Sequence, residues 1–291
     1  MEVAAIASAP SRAADFLELT KPRITSLVVV TAAVGYALGA PVFLTGVFVA
    51  VLAGTALVAG GASVLNQYAE RDFDARMLRT RHRPLPAGRL QPAEALAFGL
   101  VLSGAGLTLL AAGTNALTAA LGIAACASYV FLYTPLKRVT SLCTVVGAIP
   151  GAIPPMMGWA AARGGLDRTA WALFSILFLW QLPHFLALAW MYREDYARGG
   201  FPMLAVSDAD GSSTGRQALL YSAALLPVTL AAGLFAGAGS VFLWGGLAAG
   251  LAFLVGAALF ARRREIAWAR RLFLASVLYL PAVLGLMVFD R

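Results

Sequence analysis

Nine apolar stretches, near residues 24–41, 43–65, 93–112, 116–134, 142–161, 169–190, 216–236, 239–260 and 271–289, are each long enough to cross a hydrocarbon layer of about 30 Å as a helix. Nothing else in the chain restricts its fold so strongly. A backbone surrounded by lipid must satisfy its hydrogen bonds internally, so the expectation is an all-α polytopic membrane protein. With 60% hydrophobic and 12% charged residues and a mean hydropathy of +0.79, an ordinary soluble domain is excluded. Gly39 to Pro41 crowd the first two stretches together, and Pro150, Pro154 and Pro155 interrupt the fifth, which leaves eight or nine crossings. Nine is the count that the charges support.

Lys and Arg collect in cytoplasmic loops. With the N-terminus inside, all 22 basic residues except Arg163, Arg168 and Arg291 fall on the cytoplasmic side, an asymmetry that one span more or fewer would scramble. The net charge of +8 is then a matter of topology and calls for no nucleic-acid partner. Cys126 and Cys143 both fall in predicted spans, which argues against a disulfide framework or a thiolate metal site. Residues 1–15 read as a loose cytoplasmic tail with no cleavable signal, and 16–291 as one transmembrane domain.

Polar residues concentrate in two long loops on the same side, about 67–92 and 191–215. The first begins where an apolar run ends. Asn66, Glu70 and Asp74 are spaced i, i+4, i+8, so on a helix continuing from that run their oxygens line one face over about 12 Å. Such a row suits a hard divalent cation, and Arg76, Arg79, Arg81 and Arg83 follow at once with guanidinium groups that fork onto phosphate oxygens. The combination points to a diphosphate held through Mg²⁺. The plainer alternative is a solvated helix end paired with its own arginines, which contributes little. Arg79 and Arg83 share a helix face if the turn persists to Pro84, which favours them over Arg76 and Arg81.

In the second region Gln181 and His184 lie inside an apolar span on either side of Pro183. Polar groups there are costly and often functional, with a simple interhelical hydrogen bond near the kink as the plainer, less favoured account of His184. Tyr192, Arg193, Glu194 and Asp195 sit at the cytoplasmic edge, where Glu194 and Asp195 serve either as ligands for a further cation or as helix caps. Lys21 and Arg23 before the first span, and Lys137 and Arg138 after Tyr133, either touch lipid headgroups or lean over a diphosphate.

With LTKPR at 19–23 and the NxxxExxxD pattern at 66–74, the chain resembles the intramembrane aromatic prenyltransferases. The likeness extends through NQYAERDFDARMLRTRHRPLPAGRL at 66–90, YTPLKR at 133–138, WQLPHF at 180–185 and YREDYARGGFPML at 192–204, nearly the whole chain. It implies nine helices around a central cavity in the cell inner membrane, the site facing the cytoplasm. Among family members the motifs are most similar to those acting on heme. That implies transfer of the farnesyl group of farnesyl diphosphate to a vinyl group of heme b, with addition of water, heme being substrate and Mg²⁺ the cofactor. The resemblance gives catalytic roles to Asn66, Glu70, Asp74, Arg79, Arg83 and His184. Lys21, Arg23, Tyr133, Lys137, Gln181, Tyr192 and Arg193 become substrate-binding residues, and His184 a heme-side residue serving as iron ligand or base. It also admits contact with a heme A synthase or oxidase assembly factors. Quinone-type members carry an acidic motif where this chain reads Gln181 to His184, which weighs against a phenolic acceptor such as 4-hydroxybenzoate. The remaining rivals are a chlorophyll-precursor prenyltransferase and a transporter or lipid-binding protein.

Overall fold

A computed structural model describes residues 11–291; residues 1–10, most of the expected tail, lie outside them. The described chain is helical from Arg12, so the last part of that tail is ordered in α1 (Arg12–Leu19). Ser11 caps this helix and Asp15 is buried against Arg89 at 2.8 Å. Then come α2 (Pro22–Gly39), α3 (Thr45–Asp74), α4 (Pro92–Gly113) and α5 (Ala116–Ala127). A π-helical stretch, Ser128–Tyr133, carries α5 into α6 (Thr134–Leu136). They are followed by α7 (Cys143–Arg163), α8 (Arg168–Met191), α9 (Arg193–Gly199), α10 (Leu204–Ser207), α11 (Ser212–Ala236), α12 (Ser240–Arg263) and α13 (Ile266–Phe289). Among the described residues nine helices are long and apolar enough to cross a membrane, α5 through α6 counting as one, and each coincides with one of the nine expected stretches.

The helix ends follow from local chemistry. Pro22 and Pro92 occupy first-turn positions, where no N–H is required, and Gln91 with Glu94 completes a capping box. Asp167 receives the N–H groups of Thr169 and Ala170 at the start of α8. α7 remains one helix through Pro150, Pro154 and Pro155.

Lipid offers no hydrophobic drive between helices, so close backbone approach through small residues does the packing. A Cβ on Gly158 of α7 would lie 1.9 Å from the Ala32 carbonyl oxygen of α2, and one on Gly61 of α3 would lie 2.3 Å from Ser103 Oγ of α4. Thus α2 runs along α7 and α3 along α4, while α8 packs on α7, α11 and α13, and α12 closes against α11 and α13. One apolar cluster includes Tyr36, Val51, Val58 and Leu110; a second includes Leu173, Leu225, Phe253 and Val283. The start of α2 and the ends of α3, α6 and α8 meet at one end of the bundle, and α3 overruns its apolar stretch by about two turns there.

Candidate active site

That overrun carries the polar row inward. Asn66, Glu70 and Asp74 are all buried, at 3%, 2% and 1% exposure, so the reading of a solvated helix end fails. Buried carboxylates demand partners. Lys137 Nζ lies 2.9 Å from Glu70 Oε2, Arg83 Nη1 2.7 Å from Asp74 Oδ2, and Lys21 Nζ 3.2 Å from Asn66 Oδ1. The Asn66 amide is held the other way round by donating to Thr134 Oγ1 at 3.0 Å, and Thr134 in turn donates to the Tyr129 carbonyl at 2.8 Å. The wide π-helical turn stacks Tyr129 and Tyr133, ring centroids 5.3 Å apart, beside this row.

The second oxygens of both carboxylates, Glu70 Oε1 and Asp74 Oδ1, are buried without a hydrogen-bond partner. Two bare carboxylate oxygens one helical turn apart, with the Asn66 oxygen a turn further, form a donor set suited to Mg²⁺. Three cations face two carboxylates, so the cluster also has a surplus of positive charge for an anion. Lys21 registers that surplus: burial, then the nearby Arg83 and Lys137, bring its ammonium down to about 7 against the pull of Glu70 and Asp74. Burial alone would lower Lys137 as well, but Glu70 beside it outweighs this and holds it above the ordinary lysine value. Lys21 reaches the cluster from a left-handed backbone turn, φ 50°, between α1 and α2.

The structure divides the expected residues. Arg23 is exposed in the first turn of α2. The helix does not persist to Pro84 but ends at Asp74, where the Thr80 hydroxyl donates to the Asp74 carbonyl at 2.8 Å and turns the chain. Arg79 and Arg83 therefore part company: Arg83 joins Asp74, whereas Arg79 lies over Tyr192 with its guanidinium carbon 5.0 Å from the ring centroid. Asp195 has both oxygens engaged, by the N–H groups of Leu78 (2.9 Å) and Arg79 (3.1 Å) and by Arg198 (2.7 Å). It is a loop clasp, with both oxygens engaged in hydrogen bonds to the loop and to Arg198. Burial raises its carboxyl, but Arg198 and the two N–H groups prevail and hold it below the usual range. Glu194 is exposed next to it. Gln181 is buried between helices, donating to the carbonyls of Ala148 (3.2 Å) and Leu177 (3.0 Å), and ties α8 to α7. His184 faces α13, with Nδ1 2.7 Å from Ser276 Oγ and its ring stacked on Phe273 at 4.6 Å and Trp180 at 5.0 Å.

Several contributors escaped the sequence reading. Phe201 lies under Lys137, 4.5 Å from Nζ to the ring centroid, and Arg89 straps α1 to the loop through Asp15 and Glu18. Thr134, Arg89 and Phe201 lie within the motif segments at 133–138, 66–90 and 192–204, but nothing local marks Tyr129.

The UbiA prenyltransferase family profile matches residues 28–277. A protoheme IX farnesyltransferase of Solibacter usitatus is 50% identical over 287 residues, covering 95% of this chain and 98% of the relative. One of Myxococcus xanthus is 46% identical over 286 residues, covering 98% and 97%. Among solved structures, a digeranylgeranylglyceryl phosphate synthase superposes with a TM-score of 0.80 at 15% identity, over 96% of this chain and 98% of the other. A UbiA homolog from Archaeoglobus fulgidus bound to GPP and Mg²⁺ gives 0.70 at 15% identity, over 94% and 99%. These two likenesses concern the fold.

Proposed function

The chain belongs to the UbiA prenyltransferase family, and from that premise we propose that it transfers the farnesyl group of farnesyl diphosphate to a vinyl group of heme b, with addition of water, releasing diphosphate and heme O. The acceptor follows from full-length relatives named protoheme IX farnesyltransferase. The observation that carries the chemistry is the pair of bare, buried oxygens on Glu70 and Asp74 beside three cations.

Asn66, Glu70 and Asp74 would hold Mg²⁺, which when bound supplies Lewis-acid neutralisation of the departing diphosphate. Arg83, Lys21 and Lys137 grip phosphate oxygens and compensate the charge that accumulates as the allylic C–O bond breaks. Each such preorganised group is worth about 10²–10³ in rate. The stacked faces of Tyr129 and Tyr133 offer negative quadrupole to the allylic cation. The apolar bundle keeps water from the farnesyl chain until the vinyl carbon has attacked. His184, whose Nδ1 is engaged by Ser276, has Nε2 left to serve the acceptor as ligand or base.

Residues 16–291 act as one domain in the inner membrane, N-terminus and site on the cytoplasmic side, as the basic residues favour. The apolar product stays in the bilayer, where a heme A synthase or oxidase assembly factor is the partner expected to receive it. The test is mass spectrometry of heme extracted after incubating purified protein with heme b, farnesyl diphosphate and Mg²⁺, alongside Asn66→Ala. Hydroxyethylfarnesyl heme formed by the wild type and absent with the variant supports the reading. Prenylation of 4-hydroxybenzoate with heme b left untouched overturns it.

A further inference from the structure

A groove of about 430 Å³ opens at the end of α8, walled by Arg79, Trp190, Tyr192, Arg193, Arg198 and Ile266. The diphosphate cluster does not use it. Glu194 stands exposed on its rim, and Arg198 is taken by Asp195 at 2.7 Å. Arg79 and Arg193 are not so taken: among the described residues neither has a carboxylate within ion-pair distance. Both are nonetheless braced. The Arg79 guanidinium carbon lies 5.0 Å from the Tyr192 centroid and that of Arg193 lies 4.5 Å from the Trp190 centroid. The Arg79 backbone is further pinned by Asp195. Two guanidinium groups laid on aromatic rings keep their forks free for planar anions.

We propose that this groove receives the two propionate carboxylates of heme b, with Arg79 and Arg193 as their partners; the assignment rests on the heme-prenylating reading above. Three observations favour that occupant. Two unpaired cations match two carboxylates, while the diphosphate already has Lys21, Arg83 and Lys137. The groove lies at the last residues of α8 and those that follow, so carboxylates held there stay at the aqueous edge while an attached apolar macrocycle enters the bundle. Finally, Met191 and Ile266 line the groove, and each is seven residues, about 10 Å, from a member of the stacked pair His184 and Phe273 on the same helix faces. The groove therefore opens onto the α8–α13 seam that leads to His184. Tyr196 joins the two sites: Arg79 lies over its ring at 5.9 Å, and the ring meets Phe201, which underlies Lys137.

The experiment is an absorption titration of the full-length protein in nanodiscs with heme b and with its dimethyl ester, for wild type, Arg193→Gln and Arg79→Gln. The wild type should bind heme b about a hundredfold more tightly than the ester, which lacks both carboxylates, at about tenfold for each charge-assisted hydrogen bond lost. Each variant should weaken heme b about tenfold and leave the ester unmoved. Arg193→Gln should also leave the KM for farnesyl diphosphate unchanged. Should Arg79→Gln fail to fold, Arg193→Gln and Arg79→Lys carry the test. Equal affinity of the wild type for heme b and its ester overturns the assignment, as does a weakening that is the same for both ligands in the variants. Wild-type protein that forms prenylated heme while heme b binding ignores both substitutions sinks the groove alone. Wild-type protein that forms none sinks the reading beneath it.

Discussion

Lys137 and Glu70 meet at 2.9 Å through only one carboxylate oxygen, and the other, Oε1, is buried with no partner. The pair is thus both a structural ion pair and half of a ligand set, and the two roles respond differently to substitution.

Glu70→Ala strands the Lys137 ammonium in a buried site, which should cost about 3–5 kcal/mol of stability. Glu70→Ala with Lys137→Met should recover most of that loss, while Glu70→Gln should stay folded and lose about 10²–10³ in turnover. Thermal unfolding in detergent and the heme product assay read these separately. A double variant no more stable than Glu70→Ala would contradict the ion pair.

Lys21, at about 7 in the ligand-free protein, should gain a proton when an anion settles beside it. Affinity for farnesyl diphosphate should then be greatest below pH 7 and fall as pH rises through neutrality, since binding must supply that proton. The Lys21→Met variant should bind less tightly and show a flatter dependence. Parallel pH profiles of the two proteins would count against the assignment.

Asp195 is held below the usual carboxylate range, so the stability it contributes is present above about pH 4, the ordinary unfolded value, and lost as pH falls through its folded value. Asp195→Ala should remove that acid-side loss and raise hydrogen exchange at the Leu78 and Arg79 amides at neutral pH. Unaltered protection of those two amides would dismiss the clasp.

Gly158→Ala places a Cβ 1.9 Å from the Ala32 carbonyl oxygen, a backbone atom that cannot step aside without moving α2. A loss of about 1–3 kcal/mol is expected, the range for overpacking. Gly104→Ala, with nothing within 4 Å of its Cβ, should be neutral or slightly stabilising. Comparable melting shifts for the two would argue against backbone contact between α2 and α7.

All nine crossings were legible because hydropathy over some 20 residues is a local property. The row of Asn66, Glu70 and Asp74 was legible for the same reason, since helical periodicity places them on one face wherever the helix goes. The fates of Arg79 and Asp195 were not. Asp195 meets Leu78 and Arg79 across more than a hundred residues, and no local spacing reports that a carboxylate will be engaged by a distant loop. Arg83 was anticipated through a helix that does not exist; it reaches Asp74 because Thr80 turns the chain back. Gln181 and His184 stood out as polar residues in an apolar span, but their orientation toward α7 and α13 depends on which helices surround α8.

The hold of α9 on the loop after α3 has a thermodynamic corollary. Asp195 grips backbone, not side chain, so a shift of α9 carries Leu78 and Arg79 with it. The groove proposed for the heme carboxylates is lined by Leu78 and Arg79, and the loop they belong to leads on to Arg83 of the proposed diphosphate cluster. Any change that one occupant makes in the other's affinity must then be returned by the same factor, and this reciprocity makes the order of loading a property of concentrations.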